Sequence, residues 1–318
     1  MKGALWLAWR QQRVLVVCGA VVLLATAALA AYFRSGMLDD LRGGLFDHCG
    51  PGPLYCGRPE DGLPQFLDVE PLRLLGALNI ALPTLIGMFW GAPLLGRDRE
   101  LGTHRMILSQ GVGRAQWFAS RFALAAAGTV ALSGTLALLF RWWWEPAVNR
   151  SYGVFWYEAS ALTGSGPATV AAALAGLAVG TLAGLLARRV LSAMAWTLLV
   201  TAAVTVLVQW THRARLLVPP HRYVSDGWQP KPPMGDKWST GHYGMVTASG
   251  RREDALNCPH PSGRELMECM SQYGYVARFY EANPTGDYWT FQWTDTALLG
   301  GLALGLTVAT VLLLRRRV

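Results

Sequence analysis

Charge is scarce in this chain and unevenly distributed. Only 15% of the residues are charged, against about 25% in soluble globular domains, while 52% are hydrophobic. Several stretches of about twenty residues carry almost no charge, and a helix of that length crosses a ~30 Å hydrocarbon layer. This composition argues against an ordinary soluble domain. It predicts helices that satisfy their backbone hydrogen bonds within a membrane.

Several nucleotide-binding and catalytic motifs are missing. The three lysines, Lys2, Lys231 and Lys237, lie outside any Gly-x-x-x-x-Gly-Lys-Ser/Thr context, so the chain has no P-loop for a nucleotide phosphate. The His-Glu-x-x-His and Gly-x-Ser-x-Gly motifs are absent as well. The net charge is +8, but no basic run with interleaved aromatic residues indicates nucleic-acid binding. We predict no catalytic residue, no metal site and no cofactor in this chain.

Six apolar runs predict six membrane-spanning helices in an all-α integral membrane fold. Polar segments, or segments rich in proline and glycine, separate most of the runs. The runs are Val14–Phe33, Leu74–Leu95, Trp117–Phe140, Ala168–Ala187, Leu191–Trp210 and Thr294–Leu314. Pro83 and Pro93, within or near the second run, predict a kink or an early end of that helix.

Basic residues predict the orientation of the bundle. With a cytoplasmic N-terminus, the inner segments hold 13 of the 28 basic residues, against only two acidic residues, Asp98 and Glu100. Cytoplasmic loops are enriched in Lys and Arg, and short loops dominate this rule. We therefore expect both termini in the cytoplasm, with the chain in the plasma membrane. The excess of Arg over Lys, with abundant Ala, Gly and Leu, suggests a bacterial source with a GC-rich genome.

The segments outside the spans complete the predicted domains. Residues 1–13 mix Trp with basic residues and predict a short interfacial helix; a cleaved secretory signal is the alternative, but the first apolar run is long for one. Residues 14–210 hold spans one to five and a cytoplasmic loop at 96–116. Residues 211–293 are long enough to fold as an extracytoplasmic cap, with one short helix in Ser262–Ala282. Residues 294–318 hold the sixth span and a basic C-terminus.

Four cysteines lie on the predicted outer side: Cys49, Cys56, Cys258 and Cys269. In an oxidising compartment they predict two disulfides, with three possible connectivities. We favour the pairs Cys49–Cys56 and Cys258–Cys269, because short loops close at the smallest entropic cost. A metal site that includes the neighbouring histidines is the alternative, although the spacing matches no zinc module.

The inner segment after the second run carries the most informative pattern. It reads RDRELGTHRMILSQGVGRAQWFASRF, a compact alternation of acidic and basic residues around Glu100, then a short apolar turn and a return through Gly, Arg and Trp. This run resembles the first cytoplasmic loop of ABC-2 type permeases, the membrane subunits of ATP-binding cassette exporters. The opening LWLAWRQQR and the later LLARRVLSAMAWTLLV resemble the actinobacterial branch of that family, and the likeness extends over all six spans.

This resemblance implies a function and partners. The loop would be a coupling helix that docks on a separate cytoplasmic ATPase, which binds the ATP and Mg²⁺. The residues carried over to that contact are Arg97, Arg99, Glu100, Gly102, Thr103, His104 and Arg105. The permease would work as a homodimer or with a paralogous permease, surrounded by membrane lipids. It would move an amphipathic, lipid-like, peptide or drug cargo outward.

Small and polar residues within the spans give further candidates. Gly176, Gly180 and Gly184 recur every fourth residue and predict close helix packing, within the chain or at a dimer seam. Asn79 and Thr84 are candidates for a substrate path, although an interhelical hydrogen bond explains Asn79 equally well. We expect no acidic residue at membrane depth, because the nearest ones lie close to the ends of the runs. That absence argues against proton coupling.

Two other functions stay open. A receptor or sensor would use the large aromatic segment at 211–293 to bind a ligand or protein, since Trp and Tyr favour recognition surfaces. A membrane enzyme would need polar side chains clustered at one depth, and the sequence shows no such cluster. The transporter interpretation is preferred because of the loop around Glu100.

Overall fold

Six long apolar helices form the body of the molecule. The computed structural model describes residues 2–42, 69–101, 114–148, 154–226, 237–254 and 263–317. Six helical segments in these ranges are long and apolar enough to cross a membrane, as predicted. The α-helices of more than one turn are α1 Lys2–Arg42, α2 Glu70–Ile86, α3 Ala92–Glu100, α4 Arg114–Trp144, α5 Pro167–Leu186, α6 Val190–Arg213, α7 Gly263–Gln272 and α8 Tyr288–Arg317.

The second span is one continuous helical segment with an irregular middle. α2 and α3 are joined by a π-helical turn, Gly87–Gly91, in which the Ala92 N–H bonds to the carbonyl of Gly87, five residues back. Pro83 lies within α2 and Pro93 in the first turn of α3. Proline lacks an N–H and perturbs the regular hydrogen-bond ladder. The helix therefore changes its winding in this region instead of ending.

Helix α5 is the centre of the bundle, since it packs against the second span, α4, α6 and α8. A glycine face allows the closest of these approaches. A Cβ atom added at Gly176 or at Gly180 would lie 2.0 Å from the carbonyl oxygen of Pro83 or Gly87, respectively. At Gly184 it would lie 2.3 Å from the carbonyl oxygen of Ala92. We call this contact between α5 and the second span the glycine seam; it lies within one chain.

Helix α1 lies on the outside of the bundle and packs mainly on α4. The rings of Phe33 and Trp143 stack at 5.9 Å between centroids, with planes 9° apart. The structure differs from the prediction of a separate helix at 1–13, because Lys2–Arg42 is a single helix. Leucine, alanine and arginine favour helix on both sides of residue 13, so nothing in the local sequence ends the helix there.

The segment between α6 and α8 contains a β-sheet, so the all-α prediction is wrong. Strands β1 His221–Asp226, β2 Lys237–Thr247, β3 Arg252–Glu253 and β4 Tyr275–Pro284 form an antiparallel sheet in the order β1-β4-β2-β3. The short helix predicted in Ser262–Ala282 is present as α7, but residues 275–284 form a strand. Buried positions alternate at Tyr275, Ala277 and Phe279, which is the two-residue period of a strand.

Aromatic and cationic side chains attach the sheet to the helical bundle. The Arg215 guanidinium lies 3.6 Å from the centroid of the Trp238 ring, and Trp238 stacks on Tyr157 at 5.7 Å. Burial lowers the pKa of Arg215 to about 10, so this guanidinium remains charged at neutral pH. The cation–π contact therefore holds strand β2 against the segment after α6, and the stacked rings hold it against the loop before α5.

The sheet should respond to acid through Glu281. Its pKa is lowered, chiefly because Arg222 donates a hydrogen bond of 3.0 Å to its carboxylate, and His242 adds to the effect. A carboxyl group with a lowered folded-state pKa stabilises the fold above its unfolded-state pKa, and this is lost as pH falls through the folded-state value. Glu281→Gln should therefore be less stable than the native chain at neutral pH. The difference should shrink as pH falls below about 4.3, the pKa of Glu in an unfolded chain, and be lost below the lowered folded-state value.

The thermal unfolding midpoint of the detergent-solubilised full chain, followed from pH 7 to pH 3, measures this difference. Glu268→Gln, on the exposed face of α7, is the matched control. A deficit in Glu281→Gln that stays constant across the range would contradict the assignment.

Candidate functional site

One end of the bundle gathers basic residues from several spans. Leu95, Phe118, Leu185 and Leu314 pack together there, which brings the ends of α3, α5 and α8 next to the start of α4. The exposed arginines that follow or precede these positions therefore share one end of the molecule: Arg97, Arg99, Arg188, Arg189, Arg315 and Arg316. We call this surface the basic end.

Glu100 joins the last turn of α3 to the first turn of α6. Its Oε2 accepts a hydrogen bond of 3.0 Å from the backbone N–H of Val190, which is the first residue of α6. A carboxylate at this position satisfies a free helix N–H and interacts favourably with the helix dipole. Glu100 thus has a structural role that the sequence pattern did not reveal.

The predicted coupling residues are only partly within the described chain. Arg97, Arg99 and Glu100 lie in α3 with exposed side chains. Gly102, Thr103, His104 and Arg105 lie outside the described residues. The docking role of all seven stays a prediction.

A buried polar network lies just inside the basic end. Arg121 of α4 forms an ion pair with Asp98 of α3, and its guanidinium also donates to the Leu94 carbonyl at 3.4 Å. The Arg121 carbonyl accepts from Gln12 Nε2 at 3.2 Å, and Gln12 Oε1 accepts from the Trp90 indole at 3.0 Å. The network therefore links α1, the second span and α4.

The sequence pattern predicts no contact between Asp98 and Arg121. A signal was available, because Arg121 lies seven residues into the helix that begins at Arg114. A charged residue at that depth requires a partner. Its partner was not identifiable from the pattern, since the two residues are 23 positions apart.

The two predicted path residues are placed in the interior. Asn79 of α2 is 1% exposed and donates from Nδ2 to the Gly164 carbonyl at 2.6 Å. Thr84, also in α2, shares a hydrogen bond of 2.9 Å with Thr201 of α6. The Thr84 contact is an interhelical hydrogen bond, whereas Asn79 bonds to the turn before α5. A role in a substrate path stays a prediction for both residues.

Asp295, which the sequence places close to the end of the sixth apolar run, is buried in the structure. This residue lies in α8 at 2% exposure, and its Oδ2 lies 2.9 Å from Nε2 of His212 in α6, which is 4% exposed. The pair is 83 positions apart in the chain, so no local pattern predicted it. The absence of proton coupling stays a prediction.

Two adjacent spaces lie between the spans, and Asp295 lines the first of them. The first is a cavity of about 50 Å³ that α2, α5, α6 and α8 line, together with Thr163. The second is an apolar crevice of about 450 Å³ between α6 and α8, with α5 as its floor. Both contain Val179, Val204 and Leu302 in their walls. The cavity at the polar interior position and the apolar crevice thus share part of their walls.

The predicted disulfides cannot be assessed from the described residues. Cys49, Cys56 and Cys258 lie outside them, and Cys269 packs with Met245, Met270 and Tyr275 between α7 and the sheet. Both predicted pairings therefore stay predictions. Cys18 in α1 is a free, exposed cysteine.

Comparison with known proteins gives one match. A family model described as "ABC-2 membrane transporter related" matches residues 20–213, which is more than half of the chain and runs from within α1 to the end of α6. No curated protein and no solved structure matches.

Proposed function

The chain belongs to the ABC-2 membrane transporter related family, and on that premise we propose that it is the permease subunit of an ATP-binding cassette exporter. A separate cytoplasmic ATPase supplies the energy, and this chain carries the path for an amphipathic cargo. The chain itself is not an enzyme in this proposal and holds no cofactor, because ATP and Mg²⁺ bind to the ATPase.

The basic end is the observation that supports this proposal best. Its exposed arginines come from three separate segments, and the segment between α3 and α4, which resembles the coupling loop, starts from it. An enrichment of arginine at one end indicates the cytoplasmic side. In this orientation both termini are cytoplasmic, the sheet lies outside the membrane, and the predicted disulfides lie in an oxidising compartment.

Contacts at the basic end suggest how force from the ATPase reaches the spans. Displacement of α3 would act on α4 through the Asp98–Arg121 ion pair and on α6 through the Glu100–Val190 hydrogen bond. Gln12 would pass the same displacement to α1. One docking contact can therefore move three helices. Two permeases, identical or paralogous, would assemble with two ATPase subunits.

Charge reversal at the exposed arginines tests the ATPase contact. The full chain, tagged and purified from its native membranes in mild detergent, should retain ATP hydrolysis in the eluate. The double variant Arg97→Glu/Arg99→Glu should reduce that activity about tenfold or more, since each ~1.4 kcal/mol of lost affinity is a factor of ten. Exposed surface substitutions usually change stability by only about ±0.5 kcal/mol, so the fold should be preserved.

The control reverses a charge at the opposite end of the same span. Glu70→Lys, in the first turn of α2, should leave the co-purified activity unchanged. Glu100→Lys is a less specific variant, because it also removes the hydrogen bond to α6. Native eluate without ATP hydrolysis, or equal activity in the native chain and the double variant, would refute the proposal.

A further inference from the structure

The cavity between α2, α5, α6 and α8 is lined mostly by apolar side chains, with a few polar groups at one side. Its volume of about 50 Å³ exceeds the ~10–15 Å³ that a cavity needs to hold one water molecule. A small polar group fits this space, whereas a whole amphiphile does not.

The first polar group is the side-chain oxygen of Asn79. The amide orientation is set by the Nδ2 hydrogen bond to Gly164, which leaves Oδ1 as the acceptor. Among the described residues, no donor reaches Oδ1, although this atom is buried. A buried acceptor without a donor is costly, so a ligand that donates a hydrogen bond would stabilise this position.

The second polar group is the carboxylate of Asp295. Its two oxygens lie 3.0 and 2.9 Å from the same nitrogen of His212, so one imidazole N–H serves both. A carboxylate has about four acceptor positions, and this one also lines the cavity. Asn79 and Asp295 thus both line the cavity, and both carry acceptor oxygens. An ionisable residue buried within a span is commonly a functional site.

The crevice supplies the complementary apolar part. It shares the wall residues Val179, Val204 and Leu302 with the cavity and extends to Trp196 and Leu306. Its volume of about 450 Å³ lies within the ~300–1,000 Å³ range of ligand pockets. Its walls are apolar except for Ser192. A hydrocarbon chain matches this surface, and a donor headgroup matches the cavity at its end.

We propose that the cavity and the crevice together bind an amphiphile with a primary ammonium headgroup and one hydrocarbon chain. The ammonium donates hydrogen bonds to Asn79 Oδ1 and to the Asp295 carboxylate, and the chain lies between α6 and α8. An ammonium is favoured over a hydroxyl because it has three donors and a positive charge that complements the carboxylate. The identification of this amphiphile as the cargo rests on the proposed function, but the binding site does not.

Equilibrium binding of radiolabelled dodecylamine to the full chain in phosphatidylcholine nanodiscs tests the site. We expect saturable binding, and dodecanol, which has the same chain without the charge, should compete about tenfold or more weakly. Asp295→Asn, which keeps the shape and removes the charge, should weaken dodecylamine binding about tenfold or more. Equal affinity of Asp295→Asn and the native chain, equal competition by dodecanol, or no saturable binding would overturn the proposal.

A second variant keeps the proposal testable if Asp295→Asn does not fold. Ala183→Phe fills the crevice away from the polar groups and should also weaken binding, whereas Thr307→Val, on the same helix as Asp295 but lining neither space, should not. Unchanged binding in Ala183→Phe would overturn the proposal. The ATPase is absent from this assay. Binding as expected without a co-purifying ATPase would refute the transporter function and retain the site, and the reverse result would refute the site alone.

Discussion

Replacing Gly180 with leucine is expected to prevent the chain from folding into a stable monodisperse protein. Even the first side-chain carbon would lie 2.0 Å from the carbonyl oxygen of Gly87, far inside the 3.0 Å within which real Cβ atoms essentially never approach another heavy atom. The obstacle is backbone on the facing helix, which cannot rotate away as a side chain can. Overpacking of a close-packed interior typically costs about 1–3 kcal/mol, and this contact should exceed that range.

The effect should reach beyond one position. Gly87 approaches α5 from the other side, since a Cβ atom there would lie 2.5 Å from the Gly176 carbonyl oxygen. Separation of the helices at Gly180 would therefore open the whole glycine seam. Total stabilities of folded domains are only about 5–15 kcal/mol, so such a loss would leave little folded protein.

Gly305→Leu is the matched control, since a Cβ atom at Gly305 meets nothing within 4 Å. Both variants place the same side chain in a membrane-spanning helix. Size-exclusion chromatography of the detergent extract and the thermal unfolding midpoint measure the outcome. If Gly180→Leu eluted and unfolded like Gly305→Leu, the packing of α5 on the second span would be incorrect.

Removal of either partner of the Asp98–Arg121 ion pair is expected to destabilise the chain strongly. The side chains are 15% and 7% exposed, so the remaining charge would stay in a largely dry environment. Breaking a buried pair on one side typically costs about 3–5 kcal/mol. Asp98→Leu should therefore lower the unfolding midpoint markedly, because it leaves the Arg121 guanidinium without that carboxylate.

A double-mutant cycle separates the pair from the other contacts of each residue. Asp98→Leu/Arg121→Leu should be more stable than Asp98→Leu alone, because replacement of both charges removes the desolvated cation. Glu70→Leu, which removes one member of the exposed pair Glu70–Arg73 at 2.9 Å, should cost only about 0–1 kcal/mol. Additive effects of the two leucine substitutions would show that Asp98 and Arg121 are not coupled.

The membrane-spanning helices could be predicted because their signal is local. Each apolar run by itself indicates a helix that can cross a membrane. The polar segments, and those rich in Pro and Gly, mark most of the helix ends. The spacing of Gly176, Gly180 and Gly184 also predicted a closely packed helix face. The same spacing did not predict that this face packs against the second span. Partner choice depends on which helices meet, and that information is not contained in one run.

The sheet and the buried pairs were missed for related reasons. Strand β2 contains Gly241 and Gly244 and a register shift between Ser239 and Tyr243, so its alternation is broken and its aromatic residues suggested a recognition surface. His212 and Asp295 each lie near the end of an apolar run, where a charged residue usually faces the interface. Only the fold shows that both side chains turn inward.

The glycine seam has a mechanical consequence. Helices in contact through their backbones, with carbonyls lodged against Cα atoms, have no compliant side-chain layer between them. The second and fourth spans should therefore move as one solid piece. A displacement applied at the basic end must then move other helices relative to this unit. The crevice between α6 and α8 leaves room for such a movement, because it can widen or close.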